Sequence, residues 1–233
     1  MSARKIVTRE QWLAARLELL KAEKELTRRG DELARRRQQL PWVHVNKEYV
    51  FDTEEGQRTL GDLFAGRSQL LVYHFMFGPT RTEGFPFCSL HADSFDRTIV
   101  DLNHRDVTIL CVSRAPLAEL NECKRRMGWS LQWVPALRND LNYSFGVSLP
   151  AKRDSDSAVY KIKTPWGIAE EHAGPSAFAL EDRLVYHTYS CYARGLEAFN
   201  VTYQLLDRAP HGRNEEQLAM PRTWLRRRDQ YDL

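Results

Sequence analysis

Cys88 and His91 stand three residues apart, where a loop rich in glycine and proline gives way to a predicted helix, so their side chains share one helical face. A cysteine in the first turn of a helix meets unpaired backbone N–H groups and the positive end of the helix dipole. Both stabilise a thiolate. One chemistry for the pair is therefore a nucleophilic Cys88 whose ionised form His91 supports. Another is a two-ligand metal clip, because thiolate with imidazole suits copper or zinc rather than magnesium or calcium. The plain structural alternative is a buried, unreactive thiol beside a surface histidine. Cys88, Cys111, Cys123 and Cys191 are the cysteines of the chain, and no two form a Cys-x-x-Cys pair. Such spacing reads as reduced thiols rather than a disulfide framework. Cys111 falls in a predicted core strand. Cys123 falls on a predicted helix beside Lys124 and Arg125, as a structural residue or else a distant resolving thiol.

The elements around the pair alternate. Residues 70–77 read as a buried strand, loop 78–86 follows, and a helix runs from about Cys88 to about His104. Residues 107–112 are a second buried strand and 116–127 a second helix. Strand, helix, strand, helix is the order of a parallel α/β core. Downstream, 176–180 and 184–189 form a hairpin about Glu181-Asp-Arg183, then a helix covers about 194–206. Upstream, Thr8-Arg-Glu-Gln11 has the form of a capping box and opens a helix that continues to about residue 40, before Pro41. Residues 42–45 and 49–51 alternate like a hairpin, 60–64 make a short helical turn, and 138–163 are polar and irregular. The expected organisation is a helical arm over 1–40, an α/β domain over 41–210 and a peripheral basic tail over 211–233.

Several blocks in this order resemble an uncharacterised bacterial family of thioredoxin-like proteins, grouped as a domain of unknown function. They are Leu70-Leu-Val-Tyr-His-Phe-Met-Phe-Gly-Pro79, Val112-Ser-Arg-Ala-Pro-Leu117, Arg126-Met-Gly-Trp129, His187-Thr-Tyr-Ser190 and Tyr192-Ala-Arg-Gly195. The resemblance covers nearly the whole chain and implies an α/β, thioredoxin-like fold carrying a long N-terminal helix. A β-α-β-α half, a hairpin opened by proline and a last helix is that fold's order. The family pattern at the loop-to-helix junction is Gly-Cys-Pro-x-Cys, whereas this chain has Gly84-Phe85-Pro86-Phe87-Cys88. Phe85 replaces the first cysteine, so a mixed disulfide on Cys88 has no neighbouring thiol to resolve it.

The resemblance also implies that Pro175 is a cis-proline facing Cys88. His172, three residues earlier, then approaches the thiol, and His187 and His74 lie on strands nearby; a hydrogen-bonded core role is the alternative for both strand histidines. On this reading Cys88, His91, His172 and His187 form a metal set, with His74, Phe85, Arg114, Trp129 and Pro175 around a substrate. Arg114 and Trp129 have an equal alternative as a salt bridge and a core aromatic. The leading function is an oxidoreductase, a copper-dependent oxidase or oxygenase acting on a small organic molecule, with zinc as the other metal. Its rival is a metal-free one-cysteine peroxidase or thiol transferase. A third reading is a non-catalytic module that carries a metal or binds a partner.

Whole-chain properties narrow these classes. With 34 basic and 31 acidic side chains the formal charge is only +3, which argues against nucleic acid. No apolar run approaches the ~20 residues that span a bilayer, and the charged start of the chain is unlike an export signal. A cytoplasmic location is the expectation. The arm would be ~50 Å long at 1.5 Å per residue. Leu13, Leu17, Leu20, Leu26 and Leu33 would be poorly protected on it alone, so a homodimer is expected.

Overall fold

A computed structural model of the chain describes residues 5–148, 163–164, 167–168 and 171–232. Residues 149–162 of the polar middle segment therefore lie outside the described residues. The chain divides into two compact units, residues 1–41 and 42–233.

The first unit is helix α1 (Arg9–Gln38). Thr8 closes the expected capping box, accepting a hydrogen bond from the Gln11 backbone N–H while the Gln11 side chain reaches back to the Thr8 N–H. Arg35, Arg36 and Arg37 occupy the last turn, where cations suit the helix dipole. None of its residues is buried.

The second unit is built on a six-stranded sheet. In chain order its elements are β1 (Val43–His44), β2 (Val50–Thr53), β3 (Gly56–Thr59), a 3-10 turn (Asp62–Phe64), β4 (Gln69–His74), α2 (Pro86–Asp96), α3 (Ile99–His104), β5 (Val107–Ser113), α4 (Leu117–Met127), β6 (Gln132–Pro135) and α5 (Leu141–Ser144). There follow β7 (Lys163–Thr164), β8 (Gly167–Ile168), β9 (Gly174–Glu181), β10 (Leu184–Ser190), a 3-10 segment (Ala193–Phe199), α6 (Val201–Leu206) and a last 3-10 turn (Arg228–Gln230). The sheet runs β1-β10-β9-β4-β5-β6, with β4, β5 and β6 parallel and β9 and β10 antiparallel to their neighbours. The parallel strands and their helices precede the β9–β10 hairpin and the final helix, so the fold is thioredoxin-like.

Local chemistry explains most of these elements. Asp182 and Arg183 both have positive φ, at 50° and 64°, which gives the two-residue hairpin turn whose twist matches the strands it joins. Three local expectations give way to longer-range pairing. Residues 42–45 and 49–51 do not pair with each other: β1 lies on β10 and β2 on β3. The helix expected over 88–104 is two helices, broken at Arg97 and Thr98. The segment after residue 210 is no peripheral tail, since Leu225 and Arg227 are buried.

The sheet is covered on both faces. Alternate side chains of a strand point to opposite sides. Tyr73 and Phe75 pack with Cys88, Ala92, Phe95, Cys111, Leu120 and Trp133. Leu70, Val72, Leu110 and Val112 pack with Tyr49, Phe51, Phe64 and Phe178 on the other face.

Candidate functional site

Cys88 lies where the sequence places it, in the first turn of the helix that follows a central parallel strand. Phe85 is the N-cap and Pro86 opens α2, where its missing N–H costs nothing. In open α/β sheets this end of the strands is where ligands usually bind. The thiol accepts a hydrogen bond from the Met76 backbone N–H at 3.5 Å, and the Tyr73 hydroxyl lies beside it. That hydroxyl is buried and makes no hydrogen bond among the described residues. Burial is the largest influence on the thiol and outweighs both contacts, pushing its pKa up to about 12. The resting sulfur is a protonated thiol with no exposed surface.

Loop 78–85 leads from the end of β4 into α2 just before Cys88 and is tied down from a distance. Phe85 N–H donates to the Met76 carbonyl at 3.2 Å, so the loop doubles back on the strand end. Arg227 donates to the Gly84 carbonyl at 3.2 Å and pairs with Glu83. Arg126 holds the same carboxylate at 3.0 Å. Gly84 allows the close fit, because a Cβ there would lie 2.8 Å from the Phe75 ring.

The expected convergence of four histidines on Cys88 does not occur. His91 is buried on the same side of the sheet, but its Nδ1 donates to the Phe87 carbonyl at 2.9 Å and its ring packs on Tyr73, Phe87 and Phe95. It braces the helix instead of supporting a thiolate. His74 faces the opposite side, stacked on Phe145, and His187 packs on the edge of that same phenylalanine. His172 donates its backbone N–H to Val147 at 2.7 Å. The metal set of Cys88, His91, His172 and His187 is therefore not assembled. Among the described residues no group of three or more His, Cys, Asp or Glu side chains is arranged to hold a metal ion.

The expected pocket is also redistributed. Trp129 is a core aromatic whose Nε1 donates to Asp93 at 2.8 Å. Arg114 makes an ion pair with Glu171 at 3.8 Å and lies over the Tyr143 ring. Phe85 is half-exposed at the mouth of the loop, with the Arg81 guanidinium over its ring. Pro175 sits opposite Tyr73 in the β4–β9 ladder, and no described peptide bond is cis, so the expected cis-proline is trans. A cleft of about 240 Å³ opens between loop 82–83 and α4, with Cys123 and Arg126 in its lining. Cys123 itself is buried, which raises its pKa.

Sequence reasoning missed a second polar centre. With Asn142 Oδ1 as acceptor, His74 Nδ1–H donates to it at 3.2 Å, and His74 Nε2 accepts from the Ser176 hydroxyl at 2.9 Å. Ser190 then donates to Ser176 at 2.8 Å, and His187 Nε2–H to Ser190 at 2.7 Å. Burial drives the His74 pKa down to about 4, so the ring is neutral. The hydrogen-bonded core role, the alternative for both strand histidines, is the one found, and the alternation of β4 sends His74 away from the thiol. Asn142 and Ser176 carried no signal.

Residues 1–231 match the model of a family described as bacterial protein of unknown function, DUF899. The chain belongs to this family. No curated protein matches the sequence. Among solved structures the chain is similar to peroxiredoxin Q of Xanthomonas campestris, at 13% identity and a TM-score of 0.47, covering 70% of this chain and 96% of that one. It is also similar to peroxidoxin BcpB from Mycobacterium tuberculosis, at 12% identity and a TM-score of 0.42, over 63% and 82% of the two chains. A putative thiol:disulfide interchange protein DsbE from Chlorobium tepidum shares 10% identity at a TM-score of 0.43, over 72% and 96%. No helix among the described residues is long and apolar enough to cross a membrane.

Proposed function

We propose that this DUF899 protein is a metal-free, one-cysteine thiol peroxidase in which Cys88 reduces a small hydroperoxide. The observation that carries the reading is the position of the thiol: first turn of α2, at the end of β4, with the Met76 N–H directed at the sulfur and the Tyr73 hydroxyl close by. The copper oxidase rested on a ligand set that is not assembled, and it is not carried forward. Burial favours the peroxidase over a thiol transferase. A protein disulfide is too bulky to bring its sulfur to a covered thiol, whereas a small neutral oxidant needs only a brief opening of loop 78–85.

In the reaction the Cys88 thiolate attacks the distal peroxide oxygen. The O–O bond breaks, the sulfur becomes a sulfenic acid, and the alkoxide or hydroxide leaves as alcohol or water after taking a proton. Phe85, three residues before Cys88, offers no resolving thiol. A low-molecular-weight thiol therefore attacks the sulfenic sulfur, releasing water and leaving a mixed disulfide. A second thiol displaces Cys88 from it and restores the starting state. Two thiols are oxidised to one disulfide for each peroxide reduced.

Peroxide consumption in the presence of a small thiol tests this. The native protein turns over and Cys88→Ser does not. Equal consumption by the two proteins overturns the reading.

A further inference from the structure

We propose that α1 pairs with α1 of a second copy of this chain as an antiparallel two-stranded coiled coil. Trp12, Leu19, Leu26, Leu33 and Leu40 recur every seven residues along the whole helix and two residues past its end. Their exposures run from 43% at Leu40 to 73% at Leu26, so the entire row stands unburied. A repeat of seven against the 3.6 residues of a helical turn keeps one stripe facing a neighbour only when two helices wind about each other. Helices in proteins draw most of their stability from a packed apolar face, and α1 has no buried residue to supply one.

The occupant and its direction follow from the flanking residues. With the row at heptad position a, Ala15, Ala22, Arg29 and Arg36 fall at position d. In a parallel pair each d residue meets its own copy, which would enclose Arg29 against Arg29 and Arg36 against Arg36. It would also gather both Arg35–Arg36–Arg37 tracts at one end. In an antiparallel pair large a residues stand level with d residues, so Leu33 and Leu26 of each helix pack on Ala15 and Ala22 of the other, while Leu19 and Trp12 meet the aliphatic stems of Arg29 and Arg36, whose like charges are kept apart. Charge agrees. Residues 26–40 carry five basic and two acidic side chains, while 9–25 carry four of each, including Glu10, Glu18, Glu23 and Glu25. Only the antiparallel arrangement lays the basic half beside the half that holds these carboxylates. Gly30 fits as well. It costs a helix interior about 0.5–1 kcal/mol, has nothing within 4 Å of where its Cβ would be, and leaves room for a neighbouring backbone.

Sedimentation of the full-length chain should give a dimer at micromolar concentration. Leu26→Glu places a charge in the seam and should weaken association by at least about 100-fold. Its near-ultraviolet circular dichroism should match the native protein, since the substitution lies outside the sheet unit. A native monomer at micromolar concentration, or a Leu26→Glu dimer of native affinity, overturns the interface. Direction is read from Leu19→Cys under mild oxidation. The antiparallel pair gives no cross-linked dimer above the background of the native cysteines, and efficient cross-linking overturns the orientation.

Discussion

At Cys88 two opposed effects act on one sulfur. The helix start, the Met76 N–H and the Tyr73 hydroxyl favour the thiolate, while burial opposes it and wins, lifting the pKa to about 12. The thiolate fraction then climbs about tenfold per pH unit below that value. Alkylation of Cys88 by iodoacetamide should therefore keep rising through pH 9, and a plateau near pH 7 would contradict the burial. Tyr73→Phe removes a neighbouring hydroxyl that favours the thiolate and should slow the reaction at every pH, with Cys88 still the residue modified. Insulin disulfides should not be reduced at a thioredoxin-like rate, because no thiol stands at position 85. His74 gives an independent pH dependence. Its folded pKa, held near 4 by burial, lies below the ordinary ~6.5, so the unfolded chain takes up the proton first. Stability should be full above pH 6.5 and fall by about 3 kcal/mol as the pH drops to 4, flattening below that. Denaturant melts at pH 7 and pH 4 compare the two, with the loss reduced in a His74→Gln variant.

At the scale of elements, what the sequence revealed was what short-range chemistry determines. Thr8 and Gln11 announced α1, and the alternation on either side of Asp182 and Arg183 announced the β9–β10 hairpin. The position of Cys88 was legible because Pro86 and the glycine-rich loop mark a helix start. Contacts between distant residues were not. Arg227 reaches Gly84 across 143 positions, and the edge strand β1 chose β10 over its neighbour in sequence. The orientation of His74 depended on which face of β4 the helices cover, and no residue count supplies that. Two expectations follow. Arg227→Ala should free loop 78–85 and speed Cys88 alkylation by about tenfold, equivalent to ~1.4 kcal/mol of lost restraint, with the thermal midpoint little changed. Gly174→Ala should instead destabilise the fold by about 3 kcal/mol, because its Cβ would fall 2.3 Å from the Cys191 carbonyl and the Tyr192 ring. Thermal melts check both variants.

The whole molecule joins a sheet unit, with a covered thiol, to a helical unit with an uncovered leucine row. Its C-terminal segment belongs to the thiol's surroundings. Glu215 Oε1 accepts from the Tyr203 hydroxyl, the Trp224 indole and the Arg222 backbone, fixing Arg222 over the Phe87 ring beside Cys88 in sequence. Truncation after residue 210 should thus expose the α2 face and raise Cys88 reactivity, read by the same alkylation assay; an unchanged rate would mean the segment adds no protection. On the proposed function, Cys88 is the thiol that meets the oxidant. Mass spectrometry of the full-length protein, treated with one equivalent of hydrogen peroxide and trapped with a sulfenic-acid-specific dione, tests it most directly. A single adduct that maps to Cys88 and is absent from Cys88→Ser is expected, whereas an adduct on Cys191 or Cys123 with Cys88 untouched would overturn the assignment of Cys88.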